Sequence, residues 1–137
     1  MPKAKRAAAE HPVVKKLTPV LYVDVIEPCL DLWLKLGFKK TVEMPEGPVL
    51  GFVGLARGKI EIMYQTMASV AKDIPAFSSR SPGQTNLFIE VEDIDAIERA
   101  VKGMPIAVPR RKTFYGSTEI GVKDPAGNVV LFAEMGG

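Results

Sequence analysis

The chain repeats itself. A strand-like run, a short amphipathic helix closed by glycine, and three more strand-like runs occupy residues 17–65 and recur over 85–134. Setting Val23 against Val91 lays Thr-Pro-Val-Leu-Tyr-Val (18–23) over Asn-Leu-Phe-Ile-Glu-Val (86–91). An internal repeat of this length is one supersecondary unit used twice. Four strands with one helix on one side form a sheet that curls without closing, so each unit leaves a concave face. The expected class is therefore α+β, a pair of tandem βαβββ modules that together enclose a cleft, and function is expected in that cleft.

The first strand, 17–24, alternates: Thr18, Val20 and Tyr22 share one face, and Pro19, Leu21 and Val23 the other. A helix over 27–36 has Pro28 in its first turn and Gly37 just past its end, with Ile26, Leu30, Trp33 and Leu34 as its apolar stripe. In the second module Asp93 is the expected N-cap, Ile94, Ile97 and Val101 the stripe, and Gly103 the stop. Three strands follow each helix, at 38–44, 49–56 and 59–65 and then at 106–111, 118–123 and 128–134. Their breaks fall at Pro45-Glu46-Gly47-Pro48, Arg57-Gly58 and Asp124-Pro125-Ala126-Gly127. Residues 66–84 read as a linker with a short helix and a Ser/Pro/Gly-rich end that passes beside the cleft or across to a second subunit.

At 137 residues there is material for one core, hence one domain over 17–134: module one at 17–65, the linker at 66–84 and module two at 85–134. The net charge of +2 comes from residues 1–16, with five basic residues and one acidic; the rest carries 13 basic and 15 acidic. That start reads as a disordered basic tail without a signal-peptide core. With Arg110-Arg111-Lys112 as the sole basic cluster in the body, a nucleic-acid surface is not expected. No apolar run approaches the roughly 20 residues of a membrane span, and the expected location is the cytoplasm. The single cysteine, Cys29, permits no internal disulfide and reads as a small packing residue.

The tandem pattern, the helix running into Leu36-Gly37-Phe38 and the closing Lys123-Asp124-Pro125-Ala126-Gly127-Asn128 hairpin resemble the vicinal oxygen chelate superfamily. This is the group of glyoxalase I, bleomycin-resistance proteins and extradiol dioxygenases, and the resemblance spans 17–134. It implies that metal-dependent members take ligands from the first and last strands of each module. Carried over, those positions fall on Thr18 and Glu61 in module one and on Asn86 and Leu131 in module two. A transition metal needs three or four converging nitrogen, sulfur or charged oxygen donors. Glu61 alone is a good one, and the only histidine, His11, lies in the tail. No metal and no cofactor are expected.

The cleft is then expected to be lined by Thr18, Val20 and Tyr22 with Lys59, Glu61 and Met63 from module one. Module two is expected to add Asn86, Phe88 and Glu90 with Val129, Leu131 and Ala133. This mostly apolar lining suits a small apolar or aromatic ligand, though Phe88, Val129 and Leu131 equally fit a filled core. Glu61 has three readings: a base with its pKa raised by enclosure, an ion pair with Lys59 or an arginine, or a static hydrogen bond to Thr18 or Asn86. Arg111 and Phe114, on the loop 110–116, either grip a ligand at the mouth or belong to a charge-guarded edge strand. The leading reading is a small-molecule binder of the bleomycin-resistance type, for which the resemblance implies a homodimer. The alternatives are a lyase or isomerase with Glu61 as its catalytic base, and a degenerate domain of scaffold value.

Overall fold

A computed structural model describes residues 11–136, so most of the basic tail, 1–10, lies outside the described residues. Its elements are β1 (Val20–Val23), a 3-10 turn (Glu27–Cys29), α1 (Leu30–Lys35), β2 (Lys39–Glu46), β3 (Val49–Arg57), β4 (Ile60–Thr66) and α2 (Met67–Asp73). After a second 3-10 turn (Pro75–Phe77) come β5 (Asn86–Glu90), α3 (Ile94–Ala100), β6 (Ile106–Lys112), β7 (Thr118–Lys123) and β8 (Val129–Glu134). The strands form two open four-stranded sheets, ordered β1-β4-β3-β2 and β5-β8-β7-β6. In each sheet the first strand runs parallel to the last, and the other pairs are antiparallel. The two modules are thus copies in topology as well as in sequence.

The repeat extends to backbone detail. Gly37 (φ 87°) and Gly103 (φ 89°) end the two helices in the left-handed region that L residues avoid. After α1, Phe38 N–H donates to the Trp33 carbonyl at 3.0 Å and Gly37 N–H to the Leu34 carbonyl at 3.0 Å, a Schellman closure. Gly54 and Gly121 sit at matching centres of β3 and β7. A Cβ on Gly54 would lie 2.7 Å from Thr41 Oγ1, and one on Gly121 would lie 3.0 Å from Val108 Cβ. Beside each glycine the neighbouring edge strand is irregular, between Lys40 and Val42 in β2 and between Ile106 and Val108 in β6. Absent side chains thus let the edge strands fold in over the sheets, which makes the faces concave.

The other side of each sheet is core. Leu21, Val23, Val53, Leu55, Ile62 and Tyr64 of module one join Ile94, Ile97, Ile120, Val122, Val130 and Phe132 of module two in one contiguous cluster, with Trp33 fully buried within it. Burying a side chain of that size contributes roughly 1.5–3 kcal/mol. The helix stripe differs from expectation at one place: Leu34 is exposed, and Leu32 is buried instead. The helix opens with a 3-10 turn of about three residues, which shifts the phase of the residues behind it. Asp93 caps α3 as expected, its Oδ1 accepting from Asp95 N and Ala96 N at 3.0 and 3.3 Å.

One polar network ties the modules inside this core. Trp33 Nε1 donates to Tyr64 Oη at 3.0 Å, and Tyr64 Oη donates to Asp124 Oδ2 at 3.3 Å, crossing from β4 to the β7–β8 turn. The Asp124 carboxylate also accepts from Ala126 N at 2.9 Å, Asn128 N at 2.8 Å and Asn128 Nδ2 at 2.9 Å, while Asn128 Oδ1 accepts from Thr85 N at 3.0 Å. The turn that the sequence marks with Asp-Pro-Ala-Gly is therefore also the latch between modules.

Candidate functional site

The concave faces carry the residues that alternate with the core ones. On module one Val20 stands opposite Met63, and on module two Phe88 stands opposite Leu131. Val20 is 36% exposed and Phe88 56%, so these faces are open to solvent within one chain. Tyr22 and Met63 are half-buried, and Asn86 is exposed. Thr18 lies just before β1 and Lys59 in the turn before β4.

Thr18 and Glu61 are brought together: Thr18 Oγ1 donates to Glu61 Oε1 at 3.1 Å. The same oxygen takes Lys16 Nζ at 2.6 Å, so the ion pair comes from the end of the basic tail rather than from Lys59. The Lys16 ammonium, then the Thr18 hydroxyl, hold the Glu61 carboxyl below its ordinary value, the opposite of the shift a raised catalytic base needs.

Strand register separates the four carried-over positions. Val20 and Phe88 are equivalent, and their partners are Met63 and Leu131; Gly54 and Gly121 also face Met63 and Leu131. The counterpart of Glu61 is thus Val129, which stands opposite Asn86, and Leu131 lies two residues further along. That corrects the pairing of Glu61 with Leu131 taken from the sequence, and two residues of strand are about 7 Å. Among the described residues no group of three His, Cys, Asp or Glu side chains could hold a metal ion. The donor set of Thr18, Glu61, Asn86 and Leu131 does not fit a bound metal: one carboxylate, already spent on Lys16 and Thr18, faces weak neutral oxygens and a hydrocarbon.

A second carboxylate was not singled out from the sequence. Glu119 of β7 is fully buried on the concave side, opposite Ala133. Its Oε1 accepts from Arg111 Nε at 3.2 Å and Nη2 at 2.9 Å, and its Oε2 from Tyr115 Oη at 2.5 Å and Ser117 Oγ at 3.0 Å. The Tyr115 hydroxyl leads in holding this carboxyl below its ordinary value, with Arg111 and Ser117 adding to it against the opposing effect of burial. Strand alternation could have placed Glu119 on the concave face, but its partners arrive only when the loop folds back. Arg111 is therefore committed to Glu119. Arg110 donates through Nη1 to Asp95 and Glu98 of α3, each at 2.7 Å. Phe114, 99% exposed at the hairpin tip, stacks edge-on with Tyr115 at 5.0 Å. β6 is an edge strand of its sheet, and its arginines are tied down by carboxylates.

Cys29 is buried, and burial, then Asp124 and Glu27, push its thiol up to about 12, so it is an inert packing group. A groove of about 620 Å³ between α3 and β6 lies off the concave faces; Arg99, Lys102 and Arg110 line it, and Arg110 is already paired with Asp95 and Glu98.

This fold has close counterparts among solved structures. A glyoxalase/bleomycin resistance protein/dioxygenase from Nocardioides superposes with a TM-score of 0.71 at 12% identity, covering 96% of this chain and 90% of that one. The fold is shared with glyoxalase/bleomycin resistance/dioxygenase structures. A glyoxalase/bleomycin resistance protein/dioxygenase family enzyme from Burkholderia phytofirmans PsJN gives 0.68 at 18% identity, over 86% of this chain and 96% of that one. A lactoylglutathione lyase from Agrobacterium tumefaciens gives 0.70 at 18% identity, over 90% and 95%. No protein-family model and no curated protein matches the sequence. At these identities the likeness speaks for the fold alone, and chemistry has to be argued from the site. Among the described residues no helix is long and apolar enough to cross a membrane.

Proposed function

We propose that the chain is a small-molecule-binding protein of the glyoxalase/bleomycin-resistance type, working without a metal and holding an apolar or aromatic compound on its concave faces. The observation that carries this reading is the state of Glu61: the one acid among the carried-over positions is bound by Lys16 and Thr18 and made a weaker base. Around it the face offers Val20, Met63, Phe88 and Leu131, an apolar surface with few polar groups, as in small-molecule sites. Solvent-exposed Val20 and Phe88 also favour a homodimer, in which a second copy covers what one chain leaves open; the cytoplasm is proposed from the sequence reading alone.

Native mass spectrometry of protein purified from its own source tests all three elements together, through subunit count, ligand mass and metal content. A dimer with an organic mass and no stoichiometric metal is expected. One metal per chain that disappears in Glu61→Ala overturns the metal-free reading. Glu61→Gln keeps shape and most hydrogen bonding, so affinity for a neutral ligand should stay within about 1 kcal/mol. Turnover by the parent that falls about 10²- to 10⁴-fold in Glu61→Gln, with binding intact, establishes the lyase or isomerase alternative instead.

A further inference from the structure

The linker brings a cation without an acidic partner to the edge of the concave face. After α2 the chain makes successive tight turns, with Phe77 N donating to the Ile74 carbonyl at 2.8 Å, Ser78 N to Pro75 at 3.0 Å and Arg80 N to Phe77 at 3.0 Å. These turns set the Arg80 guanidinium 4.6 Å from the Phe77 ring centroid and 6.0 Å from that of Tyr22, the two rings lying 6.2 Å apart. Downstream, Gly83 (φ 82°) passes so close to the β7–β8 turn that a Cβ there would meet the Ala126 carbonyl oxygen. The segment is thus anchored on both sides of Arg80. It walls a cleft of about 480 Å³ whose floor is Val20 and Tyr22 of β1 and whose rim includes Ser79, Arg80, Ser81 and Thr85.

Arg80 is the cation in this cleft, and among the described residues no carboxylate pairs with it. Arg110 and Arg111, by contrast, are both neutralised by acids. The Phe77 and Tyr22 rings pack against the Arg80 guanidinium, and among the described residues no side-chain hydrogen bond uses its N–H groups, which leaves them for a planar, two-oxygen acceptor. We infer that Arg80 is the carboxylate-recognition residue of the concave site, whose ligand is an organic acid with its apolar or aromatic body lying along Tyr22, Val20 and Met63. Val20 and Met63 are neighbours across the β1–β4 pair, so the apolar path runs directly from the cleft onto the sheet. This rests on the binding reading above and adds the charge of the ligand to it.

The probes are 2-naphthoate, its neutral isostere 2-naphthamide and 2-naphthyl phosphate. Each is titrated calorimetrically into the full chain, with amide shifts of Tyr22 and Arg80 followed by NMR. The expected result is that the acid binds more tightly than the amide, weakens with added salt, and loses about 10- to 100-fold in Arg80→Gln, the range of a charge-assisted hydrogen bond. Arg80 is exposed, so this variant should fold, and Arg80→Lys should recover only part of the loss. Equal binding of acid and amide at the concave face leaves the binding reading standing and overturns the role of Arg80. So does an unchanged affinity in Arg80→Gln. Tighter binding of the phosphate than of the acid overturns the carboxylate assignment, and no binding of any probe overturns both.

Discussion

Removing one hydroxyl from the latch between the modules should cost more than the bond it visibly makes. In Tyr64→Phe, Asp124 loses a 3.3 Å hydrogen bond but keeps three others, from Ala126 N, Asn128 N and Asn128 Nδ2. That loss is about 1 kcal/mol. Trp33 Nε1 fares worse: its acceptor is the Tyr64 oxygen, and it is fully buried, so it is left unsatisfied at a further cost of about 1–3 kcal/mol. The sum, about 2–4 kcal/mol, is a large share of the roughly 5–15 kcal/mol that holds a domain together. At roughly 4 °C per kcal/mol for a chain of this size, Tm should drop by about 8–16 °C. Trp33 is the only tryptophan, so its fluorescence in urea reports the unfolding of this site directly. A cycle with Trp33→Phe, followed by circular dichroism, separates the two contributions, because the double variant has no orphaned donor. A coupling of about 1–2 kcal/mol is expected. A Tyr64→Phe variant within 0.5 kcal/mol of the parent, or a cycle that is purely additive, refutes the argument.

Glu119 makes stability depend on acid. Its folded pKa is depressed, so its contribution is complete above the ordinary carboxylate value of 4.5 and is lost as pH falls through the lower folded value. In urea titrations Glu119→Gln should therefore be less stable than the parent at pH 7, and the gap should close toward pH 3; a constant gap contradicts the assignment. At Gly83, an added methyl meets both the Ala126 carbonyl and an unfavourable φ. Gly83→Ala should loosen the linker and speed tryptic cleavage after Arg80, and unchanged cleavage would show that the anchor is immaterial.

The sequence carries the architecture because the signals that define it are local. The alternation of 18–23 and 86–91, the glycines at 37 and 103 and the Asp93 cap each act within a few residues, and the duplication states them twice. Leu34 was misplaced because one 3-10 turn rotates everything behind it, which a stripe at constant helical spacing does not register. The site was less legible because its chemistry is made by distant partners. Lys16 reaches Glu61 from a segment read as tail, Arg80 reaches Tyr22 from the linker, and Glu119 is completed by a loop that folds back. The equivalence of Glu61 with Val129 needs strand register, since a two-residue offset keeps every side chain on the same face and so leaves the alternation unchanged.

That offset has a consequence for anything the protein holds. Duplication gives a nearly symmetric frame, yet Glu61 with Lys16 and Thr18 marks one half where the other half presents Val129 and Asn86. A guest with two unlike ends then has one energetically preferred way in, and turning it end for end would set hydrocarbon against charge. The repeat supplies two equivalent halves, and the unlike residues at single positions give them a direction.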